Sequence, residues 1–184
     1  MIESLSLSVD VLKKYTSDLF YESGTYMGGG VQTALDAGFS NIISVETHHP
    51  FYNASNKLYH NNTKVKIILG DTISVMYNLL SPFSGKITFW LDGHIHLNPD
   101  YSESDCAFGE FKVPLLQELD IIKKLYRNDH IIMIDDRRMM GHGGVWGSIT
   151  ENDVANKLRN INDNYNIVYE DSKYFKADII VASI

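Results

Sequence analysis

Residues 18–30 read DLFYESGTYMGGG. An apolar run, DLFYES (18–23), passes into ESGTYMGGG (22–30), where four glycines and one carboxylate share nine positions, and VQTALDAG follows. Glycine lets a backbone turn sharply and lets a ligand come close to it. A strand that ends in such a loop and leads into a helix opens an α/β unit, in which ligands bind beyond the carboxyl ends of the strands. The loop is not the dinucleotide fingerprint. From Gly28 it runs Gly28-Gly29-Gly30-Val31-Gln32-Thr33, so the third glycine of G-x-G-x-x-G is missing. The G-K-[ST] of a phosphate-cradling loop is missing too. What remains is Glu22-x-Gly24-x-x-x-Gly28-x-Gly30, led by an acid and without a basic residue to answer a phosphate. That loop suits a ligand with ammonium and hydroxyl groups.

Outward from this loop, apolar runs alternate with amphipathic ones. Residues 41–46, 64–70, 86–92, 130–136, 165–171 and 178–184 are rich in Ile, Val, Phe and Tyr, and several are continuously apolar, as strands covered on both faces are. Helical patterns separate them. VQTALDAGF stops at Gly38, PFYNASNKLYH opens on Pro50, TISVMYNLL follows Gly70-Asp71, and PLLQELDIIKKLY carries Leu115, Leu116, Leu119, Ile122 and Leu125 on one broad face. In SITENDVANKLRNI, Ser148-x-x-Glu151 reads as a capping box. The last two strands are joined by SKYFKA, too short for a helical crossover, and pair as an antiparallel hairpin. The expected fold is α/β: one domain, residues 1–184, built as a doubly wound sheet with right-handed crossovers.

Composition sets bounds. The 184 residues are 44% hydrophobic and 21% charged, ordinary for a soluble globular protein. With 16 basic and 23 acidic residues the net charge is −7, which disfavours nucleic acid as a partner. The single cysteine, Cys106, excludes an internal disulfide, and no stretch has the length and apolarity of a bilayer span or a secretory leader. A cytoplasmic location is the expectation; oligomeric state is left open.

The strand-end rule makes a demand that the sequence meets. The first strand ends at Glu22, the second at Glu46, the third at Asp71, the fourth at Asp92 and the fifth at Asp135-Asp136. Five consecutive strands each bring a carboxylate to one edge.

On these residues the chain resembles the class I S-adenosylmethionine (SAM)-dependent methyltransferases, over essentially its whole length. ESGTYMGGG resembles the family's first motif, against which the methionine part of SAM lies. Glu46, roughly 20 residues beyond Gly24, resembles the strand-two acid that accepts from both ribose hydroxyls. LGD (69–71) resembles the motif whose acid, here Asp71, accepts from the adenine amino group. The resemblance implies SAM as cofactor, bound by Glu22, Gly24, Thr25, Gly28, Gly30, Glu46, Asp71, Thr72 and Asp92. It also implies a Rossmann-like seven-stranded sheet of order 3-2-1-4-5-7-6 with the last strand antiparallel. Glu46 is expected to be exposed and cheap to replace.

WLDGHIH (90–96) and MIDDRR (133–138) leave two readings open. In one, Asp92, Asp135 and Asp136 converge on a divalent ion such as Mg²⁺, a cluster of hard oxygens that resembles the metal-dependent O-methyltransferases of the catechol and macrocin types. In the other, Asp92 holds the SAM ammonium and the fifth-strand pair caps the next loop. In the metal reading His94, two residues beyond Asp92, is the candidate general base. The catechol type has a lysine near that place, and here His94 and His96 stand instead. A zinc site through His94, His96 and His142 is a third, weaker option, and His48 and His49 read as a helix entrance.

Two segments, 97–113 and 137–147, lack periodicity and read as lids over the acceptor. Tyr101, Cys106, Phe108, Met139, Met140 and Trp146 are candidate lining residues. Arg137 and Arg138 have two readings, a clamp on an acidic acceptor or salt bridges to the neighbouring aspartates. The minimal build points to a small-molecule acceptor, methylated at a hydroxyl oxygen. The alternatives are a non-catalytic SAM-binding partner subunit and a related nucleoside enzyme such as an aminopropyltransferase.

Overall fold

The computed structural model describes residue 4, residues 6–95 and residues 109–184. His96, Tyr101, Cys106 and Phe108 lie outside the described residues, as does most of the first aperiodic segment. The elements follow in chain order: α1 (Val9–Lys13), β1 (Leu19–Ser23), α2 (Gly29–Ala37), β2 (Ile42–Glu46), α3 (His49–Tyr59), β3 (Val65–Leu69) and α4 (Thr72–Leu80). After them come β4 (Ile87–Leu91), α5 (Leu115–Lys123), β5 (Ile131–Ile134), α6 (Glu151–Ile161), β6 (Asn166–Glu170) and β7 (Ile179–Ser183). The seven strands form one sheet of order β3-β2-β1-β4-β5-β7-β6. β1 to β5 run parallel, and β7 pairs antiparallel with both β5 and β6.

Side chains alternate across the sheet as the period of two requires. Leu19 and Tyr21 of β1, Ile87, Phe89 and Leu91 of β4, and Ile132 and Ile134 of β5 enter one core, under α4, α5 and α6. Phe20, Trp90, Ile131 and Met133 enter the other, with α1, α2 and α3 above them. Burial on both faces is why these strands read as unbroken apolar runs.

Local chemistry sets the helix ends, and in one place differently from expectation. The box that opens α6 is Thr150 with Asp153, not Ser148 with Glu151. The Thr150 hydroxyl accepts from the Asp153 N–H at 3.2 Å and the Asp153 carboxylate accepts from the Thr150 N–H at 2.9 Å. Glu151 is the first helical residue and pairs with Arg137 at 2.9 Å. The N-terminal stretch, amphipathic by pattern, forms the short helix α1, capped by Ser8, with Val11 and Leu12 buried. His48 and His49 do stand at the entrance of α3, as cap and first helical residue, next to Pro50.

Phe89 lies at the centre of the first core, edge-on to Tyr21 (centroids 5.7 Å apart) and to His130 (5.4 Å). Phe89→Ala removes these contacts and leaves a cavity, so unfolding free energy measured by urea titration should fall by about 3–5 kcal/mol.

Candidate cofactor and acceptor cleft

A cleft of about 1220 Å³ opens at the carboxyl edge of the parallel strands. Close approach between the ends of β1 and β4 builds its floor. Gly24 has φ +85°, and a side chain there would lie 2.6 Å from the Asp92 carbonyl oxygen. A side chain at Gly30 would fall 1.7 Å from Glu22 Oε1, so the Glu22 carboxyl fills the space that this glycine vacates. Glu22 accepts from the Ser44 hydroxyl, which is bonded in turn to Thr25. Burial pushes the Glu22 carboxyl well above the ordinary range, against the Ser44 bond that lowers it. Glu22 and Thr25 therefore brace the glycine loop from beneath. Gly28 caps α2, and its carbonyl accepts from the Tyr59 hydroxyl at 2.9 Å.

Glu46 ends β2 and is 7% exposed, not the open acid expected from sequence. Its Oε2 accepts from the Tyr26 N–H at 2.7 Å and its Oε1 from the His48 N–H at 2.8 Å. The Thr47 and Thr25 N–H groups also bear on it, and the residue lines the cleft. Burial raises its pKa, and the backbone N–H groups around it oppose that rise. Asp71 caps α4: its Oδ1 accepts from the Ile73 N–H at 3.1 Å, and its Oδ2 from the Glu110 N–H at 2.8 Å. Gly109 has no side chain to collide with the Asp71 carboxylate, which would lie 2.2 Å away. Thr72 turns its hydroxyl to the Tyr21 hydroxyl at 2.8 Å.

At the other end of the cleft, His94 joins the ends of β4 and β5. Its Nδ1 meets the Ile95 carbonyl at 3.0 Å, and its Nε2 lies 2.9 Å from Asp136 and 3.5 Å from Asp92. Burial alone would lower the His94 pKa. The hydrogen bonds to Asp136 and Asp92 and the Asp92 charge outweigh it and hold the ring well above the usual histidine range. His94 is thus an imidazolium, donating from both nitrogens. Asp136, in a left-handed conformation (φ 60°), also meets Arg138 at 2.7 Å. Despite burial, His94 and Arg138 keep its carboxyl below the ordinary value. Burial raises Asp92, and burial with the Asp92 charge raises Asp135 well above its ordinary range.

The acids expected to form one metal triad are divided between two groups of donors. Asp92, His94 and Asp136 converge, and so do Asp135, Asp136 and Asp178, with Asp136 common to both. The first group, two carboxylates and an imidazole, fits a divalent ion. In the second, the Arg138 guanidinium already bridges Asp136 and Asp178. Of the two readings of the arginine pair, the structure has the salt bridges: Arg138 meets these two acids, and Arg137 meets Glu151. Met140 and Trp146 are buried in the core; Met139 is partly exposed.

Several lining residues went unread in the sequence. Ser4 and Ser6 come from the N-terminal segment, and Ser172, Tyr174 and Phe175 from the turn between β6 and β7. The topology carried a signal for that turn: β6 runs parallel to β5, so its carboxyl end reaches the ligand edge. Beneath Gly93 lies Glu118 of α5, buried, with Oε1 unpartnered among the described residues and its pKa raised by burial to about 7.

The sheet order with its closing antiparallel hairpin is the fold of the class I SAM-dependent methyltransferases. No protein-family model matches the sequence, and no curated protein matches it. Solved structures do. The O-methyltransferase TomG of Streptomyces achromogenes, in complex with SAM, superposes with a TM-score of 0.61 at 11% identity, over 96% of this chain and 77% of that one. An O-methyltransferase from Bacillus cereus, bound to SAH (S-adenosylhomocysteine), gives 0.61 at 10% identity, over 96% and 78%. The SAH-bound methyltransferase PaMTH1 of Podospora anserina gives 0.58 at 13% identity, over 95% and 75%. Among the described residues no helix is long and apolar enough to cross a membrane.

The His94 cluster has a pH signature. The folded state holds the His94 proton more tightly than the unfolded chain. The stability this adds is fully present below the ordinary histidine pKa of about 6.5 and is lost as pH rises through the raised folded value. In an NMR titration, His94 should stay protonated above neutral pH, and Asp136→Asn should move its midpoint down. A His94 midpoint at the ordinary value would contradict the described ion pairs.

Proposed function

We propose that the protein is a SAM-dependent methyltransferase that transfers the methyl group to a hydroxyl oxygen of a small-molecule acceptor. The observation that carries this reading is Glu46. It is a strand-end carboxylate, held by backbone N–H groups on both oxygens, that lines the cleft beside a glycine loop. A ribose diol, two adjacent donors, is the complement of such a group. In this reading Gly24, Gly28 and Gly30, braced by Glu22 and Thr25, receive the methionine part of the cofactor. Asp71 and Thr72 border the adenine, and Asp92 lies between cofactor and acceptor.

The transfer is a displacement in line with the sulfur–methyl bond. A lone pair of the acceptor oxygen forms the new C–O bond as the C–S bond breaks, and the sulfonium keeps the bonding pair as a neutral sulfide. Positioning of the two reactants is the main thing such a site supplies. The hydroxyl proton leaves to Nε2 of His94, whose Nδ1–H is held by the Ile95 carbonyl. The resting cluster already holds a proton at Nε2, so the basic form of His94 appears only as pH rises. A divalent ion, where one takes part, would be held by Asp92, Asp136 and Nε2 of His94 in place of the ring's proton; it would lower the pKa of the acceptor hydroxyl, and His94 would then hold the ion instead of acting as the base.

Two measurements test this reading. Glu46→Gln keeps the shape and one acceptor atom, and SAH affinity measured by calorimetry should fall about tenfold or more, as loss of a charged hydrogen-bond acceptor predicts. Unchanged affinity in a folded variant would remove Glu46 from the cofactor site. With an acceptor in hand, kcat/KM should climb as pH rises through the His94 titration, and Asp136→Asn should shift that limb to lower pH.

A further inference from the structure

Residues 109–112 border the cleft and are held at two points. At one, the Glu110 N–H donates to Asp71 Oδ2 at 2.8 Å. At the other, the Ile95 N–H donates to the Lys112 carbonyl at 2.8 Å. Asp71 follows β3 and Ile95 follows β4, two strands that the sheet order separates by β2 and β1. The segment therefore ties together strand ends that stand on either side of those carrying the glycine loop and Glu46. Gly109, Phe111 and Lys112 line the cleft with them. Beyond Lys112 the chain is anchored, because Val113 and Leu115 are buried in the core under α4, α5 and α6. The exposed end of the segment depends on Asp71.

Gly109 shows how closely that end is fitted. Its φ lies outside the left-handed region, so the backbone does not itself call for glycine. The carboxylate does. A Cβ at 109 would fall 2.2 Å from Asp71 Cγ and 2.3 and 2.5 Å from its two oxygens. The carboxylate cannot swing aside without losing its partners: Oδ1 accepts from the Ile73 N–H as the cap of α4, while Oδ2 holds Glu110. Both oxygens are thus engaged by the protein. The family resemblance gives this acid to the adenine amino group; its contacts here are to the segment.

We propose that Asp71 is a positioning residue: it fastens residues 109–112 beside the cofactor half of the cleft, and the cofactor enters and leaves when this fastening opens. The inference rests on the methyltransferase reading and adds how the cofactor is retained. One hydrogen bond at the protein surface and the fit of one glycine hold that end, so it opens far more readily than the sheet that carries it.

Two substitutions and their combination test it in the full chain. Asp71→Ser keeps a good helix cap and withdraws the second oxygen from Glu110. Gly109→Ala leaves the Asp71 carboxylate in place and removes the room for it, and it carries the same test should Asp71→Ser fail to fold. In hydrogen exchange followed by NMR without ligand, the Glu110 amide should exchange about tenfold or more faster in each variant than in the wild type, as loss of a charge-assisted hydrogen bond predicts. The SAH dissociation rate, measured by surface plasmon resonance, should rise about tenfold or more in each. The combined variant should be no worse than either change alone, because all three break one contact. S-Inosylhomocysteine, with a carbonyl in place of the adenine amino group, separates fastening from direct contact: Asp71→Ser should weaken it as much as it weakens SAH. A loss confined to SAH, with Gly109→Ala binding as the wild type does, would assign Asp71 to the amino group and overturn the proposal. Unchanged SAH dissociation in both single variants would overturn it as well. Failure of SAH to bind the wild-type chain would strike the methyltransferase reading and with it the retention of that cofactor. Slow exchange at Glu110 that is lost in Asp71→Ser would then keep the fastening alone.

Discussion

Repulsion between carboxylates brought to one edge is the constraint to which the rest of the cleft answers. A parallel sheet delivers every strand end to the same side, and here the ends are Glu22, Glu46, Asp92 and the Asp135–Asp136 pair, with Asp71 just beyond β3. Buried acids of like charge cannot all ionise without compensation. The fold solves this differently at each position. Glu22 is taken up by a hydroxyl pair while burial pushes its pKa up, Glu46 by backbone N–H groups, and Asp71 by a helix N-terminus and the Glu110 N–H. Asp136 is neutralised by two cations.

The fold was legible because the sheet is covered on both sides. Unbroken apolar runs such as Ile131–Ile134 are what such strands require, and the helical stretches between them have a different period. The order of the strands is another matter: alternation of runs does not determine it, and it came from the family resemblance. At α6 local pattern misled. Ser148-x-x-Glu151 and Thr150-x-x-Asp153 overlap, and either could open a helix. Arg137, from a distant loop, engages Glu151 and the helix starts one residue after Thr150.

The site was legible by position and not by partnership. That the acids fall at strand ends follows from where apolar runs stop. That His94 joins Asp136 to Asp92 requires β4 and β5 to be neighbours in register, which no local spacing encodes. The exposure expected for Glu46 failed because Tyr26 and His48, on either side of it, fold over the carboxylate. Ser6 and Tyr174 come from opposite ends of the chain, and only the folded sheet brings both to the cleft.

The turn between β6 and β7 has a consequence for how such a protein can change. It walls one end of the cleft, yet it hangs from the outermost strand of the sheet, while the glycine loop and Glu46 belong to the inner strands β1 and β2. Surface turns accept insertions and substitutions more readily than the strands they connect. Residues 174–176, unlike the buried Asp178 that Arg138 grips, can therefore be rewritten without disturbing the registers of β1 and β2. In this architecture, one half of the cleft is fixed by the inner strands and the other by a turn at the edge of the sheet.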